Sequence, residues 1–154
     1  MDYVTLKWLH IMSATFLFGT GVGSAFYLLF VTLSKDVRAV ALVARYVVLA
    51  DWLFTSTTAV IQPVTGYYLM RIAGFQATST WLTWSFILYG VAIACWLPVV
   101  WLQMRLRDVA RQAADRNIAL PLEYWRYFWT WVALGIPAFI AFVVVFYLMV
   151  AKPS

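Results

Sequence analysis

The sequence predicts an all-α fold: a four-helix bundle of transmembrane helices forming one polytopic membrane domain over residues 1–154. Two observations carry that reading. Apolar residue types make up 65% of the chain and charged types 11%, whereas a soluble domain is nearer half apolar and a quarter charged. The surplus is too large to hide in a core of this size, and lipid is its natural solvent. In addition, four apolar stretches, at about 6–33, 47–70, 81–103 and 125–150, each hold the roughly 20 residues that a helix needs to cross a hydrocarbon core. The stretches are too long for strands and do not alternate. The formal charge of +5 is spread between them and forms no single patch, so no nucleic-acid surface is expected. One cysteine, Cys95, excludes an internal disulfide or a thiolate metal cluster within one chain.

The first span has an apolar run long enough to cross, with no small-residue cleavage site after a short core, so it reads as a span and not a cleavable leader. It carries the single histidine, His10, about one turn inside its end. On a helical wheel Ala14, Leu17, Gly21 and Ser24 fall on the same face, with Ser13 and Thr20 alongside. These are mostly small, so this face is expected to leave room for a pocket. Gly19 and Gly23 form a G-x-x-x-G on roughly the opposite face, a spacing that suits close helix packing and a homo-oligomer.

The second span carries Asp51, Thr55, Thr58, Gln62 and Thr65 at steps of four, three, four and three residues. Those steps make one helical stripe about 21 Å long. Lipid cannot satisfy such a stripe, so it must face other helices or water. It reads either as a polar track or cofactor wall, or as hydrogen-bond glue between helices. Pro63 follows Gln62 and frees the Ala59 carbonyl from its helical hydrogen bond. Counted from the span ends, His10 stands at the level of Gln62 and Thr65, and Asp51 lies toward the other end.

The third and fourth spans contain Pro98 and Pro137, which free the carbonyls of Ala94 and Ala133. Residues 105–116 extend the third helix beyond the membrane, with Arg105–Asp108, Asp108–Arg111 and Arg111–Asp115 at ion-pair spacing. Asn117 and Leu120-Pro121 end it.

Eight Lys and Arg residues lie in the links after the first and third spans (Lys35, Arg38, Arg45, Arg105, Arg107, Arg111, Arg116, Arg126), against three, Lys7, Arg71 and Lys152, on the other side. The positive-inside rule then places both basic links in the cytoplasm and both termini outside. Trp8, Trp81, Trp84 and Trp125 stand near span ends and fit interfacial belts.

A buried neutral imidazole can ligate haem iron, shuttle protons or only hydrogen-bond. A bis-histidine haem within one chain is excluded because there is no second His. No P-loop, H-E-x-x-H, nucleophile elbow or redox C-x-x-C is present.

The runs Asp51-Trp52-Leu53-Phe54-Thr55 and Gln62-Pro63-Val64-Thr65-Gly66, with Leu6-Lys7-Trp8-Leu9-His10-Ile11 before them, resemble a bacterial family of predicted integral membrane proteins of unassigned function, over essentially the whole chain. That likeness implies the bacterial cytoplasmic (inner) membrane. Lys7, His10, Thr65, Gly66, Lys152 and Pro153 are more distantly similar to HemJ-type protoporphyrinogen oxidases and their copper-resistance relatives. The similarity implies haem b with His10 as axial ligand and Ala14, Gly21 and Gln62 near the cofactor. The chain departs from that pattern at Leu28-Leu29-Phe30, at Trp81 to Trp84 and at Val99 to Gln103, where the HemJ-type proteins carry an arginine, a lysine and histidines. Three functions are therefore expected as alternatives: a haem b redox protein, a non-enzymatic membrane transport or assembly partner built on the polar stripe, and a porphyrinogen oxidase. The partners expected are membrane lipid and a second copy or another membrane protein.

Overall fold

In the computed structural model, which describes residues 2–153, the chain is helical throughout apart from short links, and there is no strand among the described residues. Helix α1 runs Tyr3–Ser34, α2 Val37–Ala50, α3 Ser56–Ile72, α4 Thr80–Asp115 and α5 Leu122–Ala151, and a π-helical turn, Asp51–Thr55, joins α2 to α3. Local chemistry marks the boundaries. The Asp2 and Asp36 carboxylates cap α1 and α2 by accepting backbone N–H bonds from Thr5 and from Arg38 and Ala39. Lys35 and Lys152 end α1 and α5 in the left-handed conformation, and Asn117 adopts it just beyond α4.

Helices α1, α4 and α5 are each long and apolar enough to cross a membrane. The stretch 47–70 that the sequence marks as a further span is interrupted by the π turn and lies within three consecutive helical pieces of 14, 5 and 17 residues that run Val37–Ile72. The backbone stays right-handed helical through the junction. At its end the Ser56 N–H reaches back to the Asp51 carbonyl, five residues earlier, and the Ser56 hydroxyl donates to the same oxygen at 3.0 Å. A π turn holds more residues than an α turn and re-phases the side chains that follow it. Here both Asp51 and Thr55 face inward, while Trp52, Leu53 and Phe54 between them are exposed.

The most extensive contacts join α4 to α5 and α2 to α4, followed by α1 to α3. They are tightest at the end that carries the basic links. There Leu28, Val40, Ala44, Leu102, Leu106, Ala110 and Phe128 close around the fully buried Tyr124. The Tyr124 hydroxyl shares a 2.8 Å hydrogen bond with Thr32, which ties α1 to α5. At the opposite end a smaller cluster of Met70, Trp81 and Leu82 packs against Leu148 and Met149. Much of the remaining surface is large apolar side chains, as a bundle dissolved in lipid requires.

Several local expectations are corrected. Trp8 and Trp84 face outward, but Trp81 is turned in, edge-on to Phe75 at 5.4 Å. Arg105 reaches Glu123 on α5 at 3.6 Å instead of Asp108, and Asp108 pairs with Arg107 at 2.8 Å and not with Arg111. A charge across a helix–helix seam is closer to Arg105 than its own-helix neighbour. A Cβ on Gly19 or Gly23 would meet nothing within 4 Å, so that pair packs against no other helix of this chain.

The carbonyl freed by Pro63 has a partner from another helix. Tyr89 on α4 donates its hydroxyl to the Ala59 oxygen at 2.6 Å. An unsatisfied carbonyl in a low-dielectric interior costs about 1–3 kcal/mol. Tyr89→Phe is therefore expected to lower stability in detergent by about that amount. Adding Pro63→Ala, which returns an N–H to the helix, should recover most of the loss; thermal unfolding of the single and double variants checks this.

Candidate functional site: two interhelical cavities along one polar stripe

Between the helices lie two partly open cavities, of about 420 Å³ and about 410 Å³. The stripe residues of the π turn and α3 contribute to both. Asp51 and Thr55 line the larger cavity, and Gln62 lines the smaller one together with His10. The other expected pocket residues are divided: Gly21 lines the larger cavity and Ala14 lines neither. Thr58 is buried but keeps its hydroxyl on its own helix, donating to the Phe54 carbonyl at 2.6 Å.

Aromatic rings separate the cavities. Phe18 lines the larger one and packs edge-on against Phe146, which lines the smaller one, with centroids 5.2 Å apart. Tyr89 lines the smaller cavity, and its hydroxyl is held by Ala59 in the wall of the larger. The bond that satisfies the proline-freed carbonyl is therefore also part of the partition.

In the smaller cavity His10 is held on both sides of its ring. The Thr65 hydroxyl donates to the Ile61 carbonyl at 2.8 Å, which leaves its oxygen to accept from His10 Nδ1–H, also at 2.8 Å. Nε2 then carries the lone pair and accepts from the Gln62 side-chain amide at 3.2 Å. Gly66 permits this close approach, since a Cβ there would stand 3.2 Å from His10 Cε1. A bond such as Nδ1–H to Thr65 is also how a metal-ligating histidine is held, but here the Nε2 lone pair is taken by the Gln62 amide, so the side chains as placed do not fit an axial haem ligand. Among the described residues no group of three or more His, Cys, Asp or Glu could hold a metal ion. The mouth of this cavity carries Lys7 and Lys152, the latter over the Phe75 ring at 4.7 Å.

The larger cavity is built around a carboxyl group. Asp51 is only 3% exposed, and one of its oxygens, Oδ1, accepts from the Thr55 hydroxyl at 2.9 Å. Gln103 on α4, 4% exposed, is its other polar neighbour. Three side chains of this wall hold a buried polar atom without a partner: Gln103 Oε1, Trp96 Nε1 and Trp131 Nε1. None of these three residues stands out in the sequence. Trp and Gln in a span have ordinary packing roles, and only the convergence of α4 and α5 on Asp51 brings them together.

This geometry makes a spectroscopic prediction. Purified protein, oxidised and dithionite-reduced, should show no Soret band, and His10→Ala should leave the visible spectrum unchanged. A Soret band that disappears in His10→Ala would overturn the hydrogen-bonded assignment of the ring.

No curated protein and no solved structure matches the chain, so the likeness to HemJ-type proteins gains no support there. A family described as predicted integral membrane protein (DUF2269) matches residues 4–153. With nearly every residue matched, the chain belongs to this family of integral membrane proteins.

Proposed function

We propose that the chain is a four-span membrane protein that holds a bilayer-soluble small molecule inside its bundle, as a binding or transport partner and not as a haem enzyme. The observation that carries this reading is the cavity beside Asp51. It is of ligand size, since small-molecule sites hold roughly 300–1,000 Å³, its walls are mainly apolar, and it keeps one carboxyl group inside the membrane. A carboxyl there is costly unless it serves a purpose. Interhelical glue alone is served as well by a hydroxyl or amide.

The unbroken helical path Val37–Ile72 acts as the second of the four spans, with the π turn placed to aim Asp51 and Thr55 inward. The eight-to-three split of Lys and Arg puts the basic links in the cytoplasm and both termini outside. Alkaline phosphatase fused after Lys152 should then be active in a bacterial host and inactive when inserted after Asn117. The reverse pattern would overturn the orientation.

The binding role has a direct test. Gly21 lines the cavity where an added Cβ meets nothing within 4 Å. Gly21→Leu therefore fills the space without a backbone clash and favours the helix. Native mass spectrometry of protein released from membranes should find a small molecule retained by the wild type. Its occupancy should fall about tenfold in Gly21→Leu, an apparent loss of about 1.4 kcal/mol, with helicity unchanged. Equal retention in both proteins, or bulk phospholipid alone, would count against the reading.

A further inference from the structure

We infer that the cavity beside Asp51 takes the hydroxyl-bearing ring of a lipid-soluble phenol or hydroquinone, which enters sideways from the bilayer between α1 and α5. This rests on the binding reading above and adds the chemical class of the ligand and its route.

The route follows from where α1 and α5 touch. Near one end Phe18 stacks on Phe139 with centroids 5.6 Å apart, and near the other Thr32 and Tyr124 share their hydrogen bond of 2.8 Å. Between these two points the facing wall residues include the side-chain-free Gly21 and Gly135, and a Cβ on either would meet nothing within 4 Å. Phe26 on α1 and Ile136 on α5 both line the cavity, yet they are 55% and 56% exposed. One surface therefore runs from the lipid-facing side of the bundle into the cavity, bounded above and below by the two α1–α5 contacts.

The class follows from the polar atoms of the wall. Trp96 and Trp131 each have an Nε1–H without an acceptor. Gln103 Oε1 lacks a donor, and the Asp51 carboxyl, bonded by Thr55 and with the Gln103 side chain beside it, still has lone pairs to offer. Each of the three unpartnered atoms belongs to a side chain that lines the cavity. A group that meets both needs must donate and accept at once, as a hydroxyl does. A quinone, ketone or ether has no proton for Asp51 or Gln103. An ammonium group has no acceptor for the indoles. A carboxylate or phosphate would face Asp51 in a wall without a Lys or Arg. The rings of Phe18, Phe139 and Phe142 supply faces and edges for an aromatic head group.

The test uses the full chain in phosphatidylcholine nanodiscs, with tryptophan fluorescence and native mass spectrometry as readouts. The probes are decyl-hydroquinone kept reduced, its dimethyl ether, decylbenzene and a decyl-anilinium salt. Decyl-hydroquinone should bind about tenfold more tightly than its ether, and Asp51→Asn and Gln103→Leu should each shrink that ratio while leaving decylbenzene binding unchanged. If Asp51→Asn does not fold, Gln103→Leu carries the comparison. Equal binding of hydroquinone and ether would overturn the hydroxyl class and leave the lipid-soluble ligand standing, as would tighter binding of the anilinium. Failure of every probe, decylbenzene included, would remove both.

Discussion

A polar group inside a bilayer has no water to turn to, and the path from Val37 to Ile72 carries five polar side chains in one stripe, Asp51 among them. Its stripe must be covered by neighbouring helices, and its proline leaves the Ala59 carbonyl in the same position. Tyr89 resolves the second need from α4, and in doing so it fixes the spacing between α3 and α4 at mid-bundle. His10 on α1 meets Gln62 and Thr65, and Gln103 on α4 stands by Asp51. Both α1 and α4 are positioned by what this one path requires.

The two ends of the bundle differ for a related reason. Where the stripe ends and α2 presents Val40, Ala44 and Val47, small and branched apolar side chains interlock with α4 and α5 and leave no room. Along the stripe, polar side chains and glycines take the place of that filling, and cavities result. Helix association in lipid depends on van der Waals packing and interhelical hydrogen bonds, because lipid tails are as apolar as leucine. The packed end thus holds the helices together, and the rest of the bundle is free to enclose space.

The two ionisable groups inside the bundle are treated differently. His10 is saturated: each ring nitrogen has a partner, and a glycine admits the ring edge. Such an imidazole orders α1 against α3. Asp51 is held through one oxygen and sits among indole and amide groups whose needs are unmet. Three of the unpartnered buried polar atoms thus gather in the cavity of the carboxyl, against one, Gln62 Oε1, beside the histidine, which is the more conspicuous residue in the sequence.

Composition and the length of the apolar runs suffice to determine that the chain is helical and lives in a membrane, because both are properties of single segments and their solvent. The four-and-three steps of Asp51, Thr55, Thr58, Gln62 and Thr65 likewise determine that one face is polar, and span-end counting brings His10 to the level of Gln62 and Thr65. Which faces meet is a different matter. The turning-in of Trp81, the outward G-x-x-x-G pair, the seam-crossing Arg105, the Thr32–Tyr124 bond and the gathering of Trp96, Gln103 and Trp131 around Asp51 depend on residues far apart in the chain. The π turn is of the same kind: its residues are ordinary helix-compatible types, and neighbours on α1 and α2 accompany the extra residue in the turn. Helical periodicity assigns a residue to a side of its own helix. Only the packed bundle decides whether that side looks at another helix, a cavity or lipid.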